Sequence, residues 1–483
     1  MGLRLQPKAC RILEWNPLPA RHIPLDTPAA WAYFVPSLVN IESPPWLEPW
    51  LVMRHRALSW DDAGFAGVRT DRFSLTIRRM RKIDTIRFRV ATRQTSREIN
   101  RTIVLNLVRA RQPISRADLA RAMSVRRGAV SLIVNDLLKE GAIIEGATGD
   151  AVRGRKPTFL YINSRRCAVL AIDIRVSQTL MMLADLVGKP IGGIVTMSTV
   201  RDPERLVESL SARMKEMLAH HPDIDECIGI GVAVPGMVER PSMRVLHAPT
   251  LGWRDVDFRS LLATATGLPV ELENSGRACA LAQLWAMHGG GEGPAGDFVF
   301  VSVSDGLGVG VCLQREVLRG RHNLAGEFGH IPLSLDGPRC SCGSTGCWEA
   351  YVSNRATLSR YFSQDSNELT ADVPMFTIDD LLARARGTDL KARAALQATG
   401  RYLGIGLAAV INALDPSVVY VGGEITGAWD LVEPTLRAAV AERALTPAVA
   451  ATPIRPVPTL EYPRLKGAAA LVTAPAFAAP VVA

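Results

Sequence analysis

The chain has 483 residues, 48% hydrophobic and 21% charged, the composition of an ordinary globular protein with room for two or three domains. No run of about 18 apolar residues is present, so a membrane span is not expected. The opening "MGLRLQPKACRILEWNPLPA" lacks the apolar segment of a signal peptide, so a cytoplasmic location is expected. The net charge of +9 is uneven: residues 69–163 carry +13 and everything else −4. A basic N-terminal block on a mildly acidic remainder suggests a nucleic-acid-binding module attached to an effector or catalytic body.

Residues 1–79 read differently from the rest. Five of the nine Trp (Trp15, Trp31, Trp46, Trp50, Trp60) fall in the first 60 positions among many Pro and Arg, with no sustained period of 2 or 3.6. The segment is expected to be a disordered extension or an over-called start, with translation beginning at Met80. Residues 80–95 are a basic lead-in.

A helix-turn-helix follows over 96–163. Ser96 is the expected cap of "SREINRTIVLNLVRA", whose Ile99, Ile103, Val104, Leu107 and Val108 form a stripe at helical spacing. Ser115 and Asp118 have capping-box spacing at the start of "RADLARAM". After the turn "SV", "RRGAVSLIVNDLLKEG" repeats the stripe at Val130, Ile133, Val134, Leu137 and Leu138 until Gly141 stops it. Two β-rich runs, 142–145 and 158–162, then flank a basic loop, as in the wing of a winged helix. Arg126, Arg127 and Ser131 are the candidate major-groove contacts. Arg153, Arg155 and Lys156 on the wing suit a narrow minor groove. The partner is therefore expected to be DNA.

From Arg166 the pattern turns α/β. Buried-strand runs such as "CAVLAIDI", "CIGIGVAV", "DFVFVSVS" and "PSVVYVGG" alternate with helical stretches such as "PERLVESLSARMKEMLAHH" and "RACALAQLWAMHG". The end of the chain after Val472, "TAPAFAAPVVA", is expected to fray, leaving 476–483 as a tail.

Five cysteines (Cys10, Cys167, Cys227, Cys279, Cys312) are scattered, but Cys340, Cys342 and Cys347 crowd into eight positions, ten residues beyond His330. One imidazole and three thiolates match a closed, tetrahedral structural zinc site, which leaves no position open for chemistry. Glycines in "CGSTGC" let the loop fold tightly enough for its thiols to share one ion.

"AGEFGHIPLSLDGPRCSCGSTGCWEAYVS" resembles the signature of the ROK family (repressors, open reading frames and kinases). "GIGVAVPGMVE", "APTLGW", "ELENSGRACALA", "SDGLGVGVCL", "INALDPSVVYVGG" and "LKGAAALV" resemble further family blocks in family order, so that the resemblance spans about 164–475. It implies an α/β fold of two actin-like ATPase lobes with a sugar in the intervening cleft, preceded by the winged helix of the family's repressor branch. Family sugar contacts fall on Asn274, Glu327, His330 and Glu349, with His330 serving the metal as well. Dimers or tetramers are implied too.

Two departures bear on activity. Ser275 stands where family kinases carry an acidic general base, and a serine hydroxyl is a poor proton acceptor at neutral pH. "IDIRVSQT" replaces a glycine-rich phosphate turn, with Arg175 and Val176 in the glycine places. Thr250 in "APTLGW" stands where many relatives have Asn, leaving the sugar open. The expectation is a sugar-responsive regulator, a repressor, with a catalytically silent kinase-like sensor. The alternatives are an active ATP-dependent sugar kinase with an appended DNA module, and a regulator answering to a protein partner.

Overall fold

The computed structural model describes residues 92–148, 157–164, 167–288, 296–363 and 376–478. The extension 1–79 and the wing residues Arg153, Arg155 and Lys156 lie outside the described residues.

The first module is a winged helix. Its opening helix, Arg93–Arg111, starts earlier than Ser96, and the physical reason is a better cap. Thr92 accepts from the Thr95 backbone while the Thr95 side chain reciprocates, so Ser96 falls in the first turn. The helix Arg116–Met123 has the expected capping box, Ser115 accepting from Asp118 N at 3.2 Å. Ser124 turns the chain with φ 56°, and the third helix, Arg127–Lys139, ends at Gly141, φ 69°. Strands Ile143–Thr148 and Thr158–Ile162 pair as an antiparallel wing, with Ile114–Ser115 on the other edge of Thr158–Ile162. The apolar faces of all three helices close on Val104, Val108, Leu119, Val130, Val134, Leu137 and Leu160, each fully buried.

Two lobes follow, each a five-stranded sheet. In the first, the order is Val270–Asn274, Glu226–Val234, Cys167–Ile174, Gln178–Asp185, Pro190–Ser198. In the second it is Glu316–Val317, Leu307–Leu313, Phe298–Val303, Val418–Gly423, Ile454–Pro456. Both combine parallel strands on one side with an antiparallel meander on the other. Central strands such as Cys167–Ile174 are buried on both faces, which is why they read as unbroken apolar runs. The helix Leu390–Leu414 is long and apolar enough to cross a membrane by composition alone. Its Leu396, Leu403, Leu407 and Ile411 are spent instead on the second lobe's core.

The end of the chain corrects one expectation. Pro463–Phe477 is a continuous helix lying across the first lobe's sheet. A Cβ on Gly231 would sit 1.8 Å from the Ala468 carbonyl oxygen, so strand and helix meet backbone to backbone. Phe477, assigned to a tail, is buried among the winged-helix residues and meets Trp285 edge-on at 5.4 Å. Burying a phenyl ring stabilises by about 1.5–3 kcal/mol, which holds the last turn in place.

Candidate functional site

The cleft between the lobes is lined from the first by Arg175, Gly236, Thr250, Asn274 and Ser275, and from the second by Ser304, Asp305, Glu327, His330 and Glu349. Strand Val270–Asn274 delivers Asn274 to the cleft at its carboxyl end, where helix Ser275–His288 begins. Asn274 caps that helix. Its Oδ1 accepts from Gly276 N at 2.8 Å and Arg277 N at 3.3 Å, and its Nδ2 donates to Gly236 O at 2.8 Å. One Nδ2 hydrogen is left for a ligand. Thr250 Oγ1 is buried beside it with no partner among the described residues.

Opposite, Glu327 precedes a single 3₁₀ turn, Phe328–His330. Burial pushes its carboxyl above the usual range, opposed by Arg277, whose Nη1 lies 3.5 Å away. Glu349 opens a short helix behind the buried Trp348, whose indole N–H donates to Tyr402 O at 3.0 Å. Glu349 Oε2 accepts from Leu307 N at 2.9 Å and Oε1 from Ser341 Oγ at 2.9 Å. The glycine turn "SDGLGVG" thus grips a cleft carboxylate: a Cβ on Gly306 would lie 2.8 Å from Glu349 Oε2.

His330, Cys340, Cys342 and Cys347 converge, with one donor atom from each within 4.8 Å of the others. Gly343 at φ 97° and Gly346 at φ 70° close the loop, and a Cβ on Gly346 would collide with the Ser334 carbonyl at 1.7 Å. The spacing tests the fit. Two thiolates on a tetrahedral zinc at about 2.3 Å lie about 3.8 Å apart, and thiolate to imidazole about 3.6 Å. Here Cys342 Sγ to Cys347 Sγ is 3.8 Å and Cys340 Sγ to His330 Nδ1 is 3.7 Å. The four residues can hold a metal ion.

Sequence reasoning missed several residues that order the cleft. Glu273 and Arg277, both fully buried, pair at 2.8 Å, and Arg319 reaches Glu273 at 3.1 Å. Burial penalises the Glu273 carboxylate, but the two guanidinium groups outweigh it and hold the group below the usual range. The spacing of Glu273 and Arg277, i and i+4 across a helix start, was the available clue. At the other end Arg175 donates to Asp173 at 2.7 Å and to Glu424 at 3.3 Å, and Arg464 bonds Ser302 Oγ at 3.1 Å. An ion cluster therefore fills the turn after Cys167–Ile174.

On the winged helix, Arg126 and Arg127 are exposed at the start of helix Arg127–Lys139 and make no ion pair among the described residues. Gly128 beside them faces open space, and Leu132 is 69% exposed. Ser131 is half-buried and its hydroxyl donates to the Arg127 carbonyl at 3.0 Å, so it is less available than its neighbours. Arg97 and Arg101, by contrast, are paired with Asp136 and Glu140.

The ROK family model matches residues 169–474. The chain belongs to the ROK family. It is 30% identical over 361 residues to the xylose repressor of Caldicellulosiruptor bescii, covering 72% of this chain and 88% of that protein. It is 31% identical over 252 residues to the glucokinase of Streptomyces coelicolor, covering 50% of this chain and 76% of the glucokinase. Among solved structures, a ROK family transcriptional regulator homologous to the Escherichia coli MLC protein superposes with TM-score 0.64 at 27% identity, over 79% of this chain and 97% of that one.

Proposed function

We propose that this ROK protein is a sugar-responsive transcriptional repressor whose winged helix binds DNA and whose cleft senses a sugar without phosphorylating it. The observation that carries the reading is Ser275 in the cleft, on a chain that also holds a DNA-binding module. The match to a xylose repressor extends over 361 residues, longer than the ROK region alone. The stretch shared with a glucokinase is 252.

In the cleft, Asn274, Thr250, Glu327 and Glu349 offer two donors, the free Nδ2 hydrogen and the Thr250 hydroxyl, and several acceptors to vicinal hydroxyls, the pattern that makes sugar recognition specific. His330, Cys340, Cys342 and Cys347 would hold zinc as a brace; the ion supplies rigidity and no chemistry. His330 then links the brace to the sugar wall, and Ser341, next to the brace, fixes Glu349. Phosphoryl transfer rests on positioning and charge stabilisation. Ser275 provides no base, and the turn that would receive phosphate holds Arg175 engaged with Asp173 and Glu424. One observation favours the kinase alternative: Asp305 is a carboxylate in the cleft.

Sugar binding closes the lobes and shifts the spacing of DNA-binding modules across a homodimer or homotetramer, lowering operator affinity. Arg126, Arg127 and Ser131 are the major-groove candidates, and Arg153, Arg155 and Lys156 the minor-groove ones. The test is a footprint on the DNA upstream of the protein's own gene, with and without a panel of pentoses, hexoses and N-acetylhexosamines. Protection relieved by one sugar supports the reading; protection indifferent to every sugar overturns it. ATP consumption with the same panel should be absent, and turnover would establish the kinase.

A further inference from the structure

Two helices begin at the cleft and end at the winged helix. Ser275–His288 starts beside Asn274 and carries Trp285 about 15 Å further along. Pro463–Phe477 starts with Arg464 in the cleft lining and ends, about 20 Å on, with Phe477 in the winged-helix core. The two are locked to one another: a Cβ on Gly467 would lie 1.9 Å from the Ala278 carbonyl oxygen, so their backbones touch. The first packs on the second lobe's sheet and the other on the first lobe's, so their contact is a seam between the lobes.

Both starting points sit where the lobes meet. Gly276 abuts the second lobe so closely that its Cβ would fall 2.6 Å from the Gly308 carbonyl carbon. Arg464 donates to Ser302 of the second lobe at 3.1 Å and lies 3.9 Å from Asp173 of the first. A change in lobe closure is therefore felt at the cleft end of each helix.

At the far end, three residues form one stack. The Arg109 guanidinium, in the last turn of the first winged-helix helix, lies 3.3 Å from the centre of the Trp285 ring and 5.3 Å from that of Phe477. It also donates to Trp285 O at 2.8 Å, while Asn106 donates to Phe477 O at 2.8 Å. Trp285 in turn donates from its indole to Val187 O at 3.2 Å.

The stack is held without being saturated. Arg109 is 93% buried, yet its Nη1 has no hydrogen-bond partner among the described residues, and burial pushes the guanidinium down to about 10. An open groove of about 180 Å³ lies alongside, lined by Asn106, Leu281 and Ala474. The winged helix thus meets both helices through one guanidinium set against two rings, beside space into which the rings can shift.

We propose that the Arg109–Trp285–Phe477 stack is the joint that passes the state of the cleft to the DNA-binding module, with the two packed helices as its rods. The inference rests on the reading of the cleft as an effector site. Arg109, Trp285 and Phe477 are positioning residues; none touches sugar or DNA.

The test measures coupling, not binding alone. In the full-length protein, operator affinity is measured by anisotropy on the footprinted upstream fragment, with and without the sugar that relieves protection. The ratio of the two constants is the coupling, of order 5–150-fold in allosteric proteins. Trp285→Ala should bring that ratio close to one: operator affinity without sugar and sugar affinity without DNA stay within a few-fold of the parent, while operator affinity in the presence of sugar no longer falls. Trp285→Phe, which keeps a stacking face, should restore it. Arg109→Gln serves if Trp285→Ala does not fold, with the same expectation. Reciprocity adds a check: operator DNA should weaken sugar binding by the same ratio in the parent and not in the variant. Parental ratios in both Trp285→Ala and Arg109→Gln would overturn the joint. A parent whose operator binding ignores every sugar would defeat the sensor reading itself, and the joint with it.

Discussion

Arg175 on the first lobe donates to Glu424 on the second at 3.3 Å while also holding Asp173 at 2.7 Å, so one guanidinium ties the end of strand Cys167–Ile174 to the second lobe. Glu424 is further bonded by Asn354 at 3.1 Å. An interlobe ion cluster thus links the two lobes at the turn after Cys167–Ile174.

Arg175→Met tests the cluster, because it keeps the stem and removes the charge. Losing one partner of a buried pair costs about 3–5 kcal/mol at full burial. Arg464 remains to serve Asp173, so a smaller loss of about 1–3 kcal/mol is expected in denaturant unfolding at neutral pH. Burial works against the Glu424 carboxylate, but Arg464, Asn354 and Arg175 outweigh it and hold the group below the usual carboxylate range. A depressed carboxyl contributes stability that is present above its unfolded pKa and lost as pH falls through the folded one. The gap between parent and variant should therefore narrow on acidification. A gap that is constant with pH would show that charge is not what the cluster contributes.

Cys342→Ser addresses the brace. Metal analysis of freshly purified protein should find one zinc per chain in the parent and a large loss in the variant. Sugar-induced thermal stabilisation should vanish with the metal, since Ser341 and His330 would no longer be fixed. The winged helix, whose core lies elsewhere, should keep its operator affinity within a few-fold. Fewer than one zinc per two parent chains would count against the brace.

What could be read in the sequence was whatever short-range pattern dictates. Strand Cys167–Ile174 has the bounds of its apolar run, and the Ser115 capping box, the Gly141 stop and the four metal donors follow from local spacing. What could not be read depends on contacts between distant segments. "TAPAFAAPVVA" looks like a fraying end until the winged helix supplies a pocket for Phe477. Arg109 looks like one more basic residue until Trp285 lies beneath it. Arg175 reads as a lost glycine, and only the second lobe's Glu424 makes it a tie.

Ser115→Ala separates the stability of the winged helix from that of the lobes. The hydroxyl accepts from Asp118 N and donates to Asp118 Oδ2 at 2.6 Å, which holds the Asp118 carboxyl below its usual range. Removing an N-cap of this kind costs about 1 kcal/mol. The loss should appear at neutral pH, where Asp118 is ionised, and fade as pH falls through its depressed value. Hydrogen exchange in Arg116–Met123 should report it while exchange in the second lobe stays unchanged. Equal loosening of both would mean that the winged helix has no separate stability.

Arg126 and Arg127 are predicted to read DNA, and the two can be told apart. Both are exposed at the start of Arg127–Lys139, beside Gly128, which leaves open space for close approach to a nucleic-acid backbone. A base-contacting arginine replaced by alanine should weaken operator binding by about 1–3 kcal/mol and relax preference at one position. A phosphate-contacting one should weaken all sequences alike and lower the slope of log affinity against log salt by about one. Measuring each variant on operator and on unrelated DNA at several salt concentrations assigns the role. An affinity that is unchanged on both DNAs would remove that arginine from the interface and move the search to Leu132 and the wing.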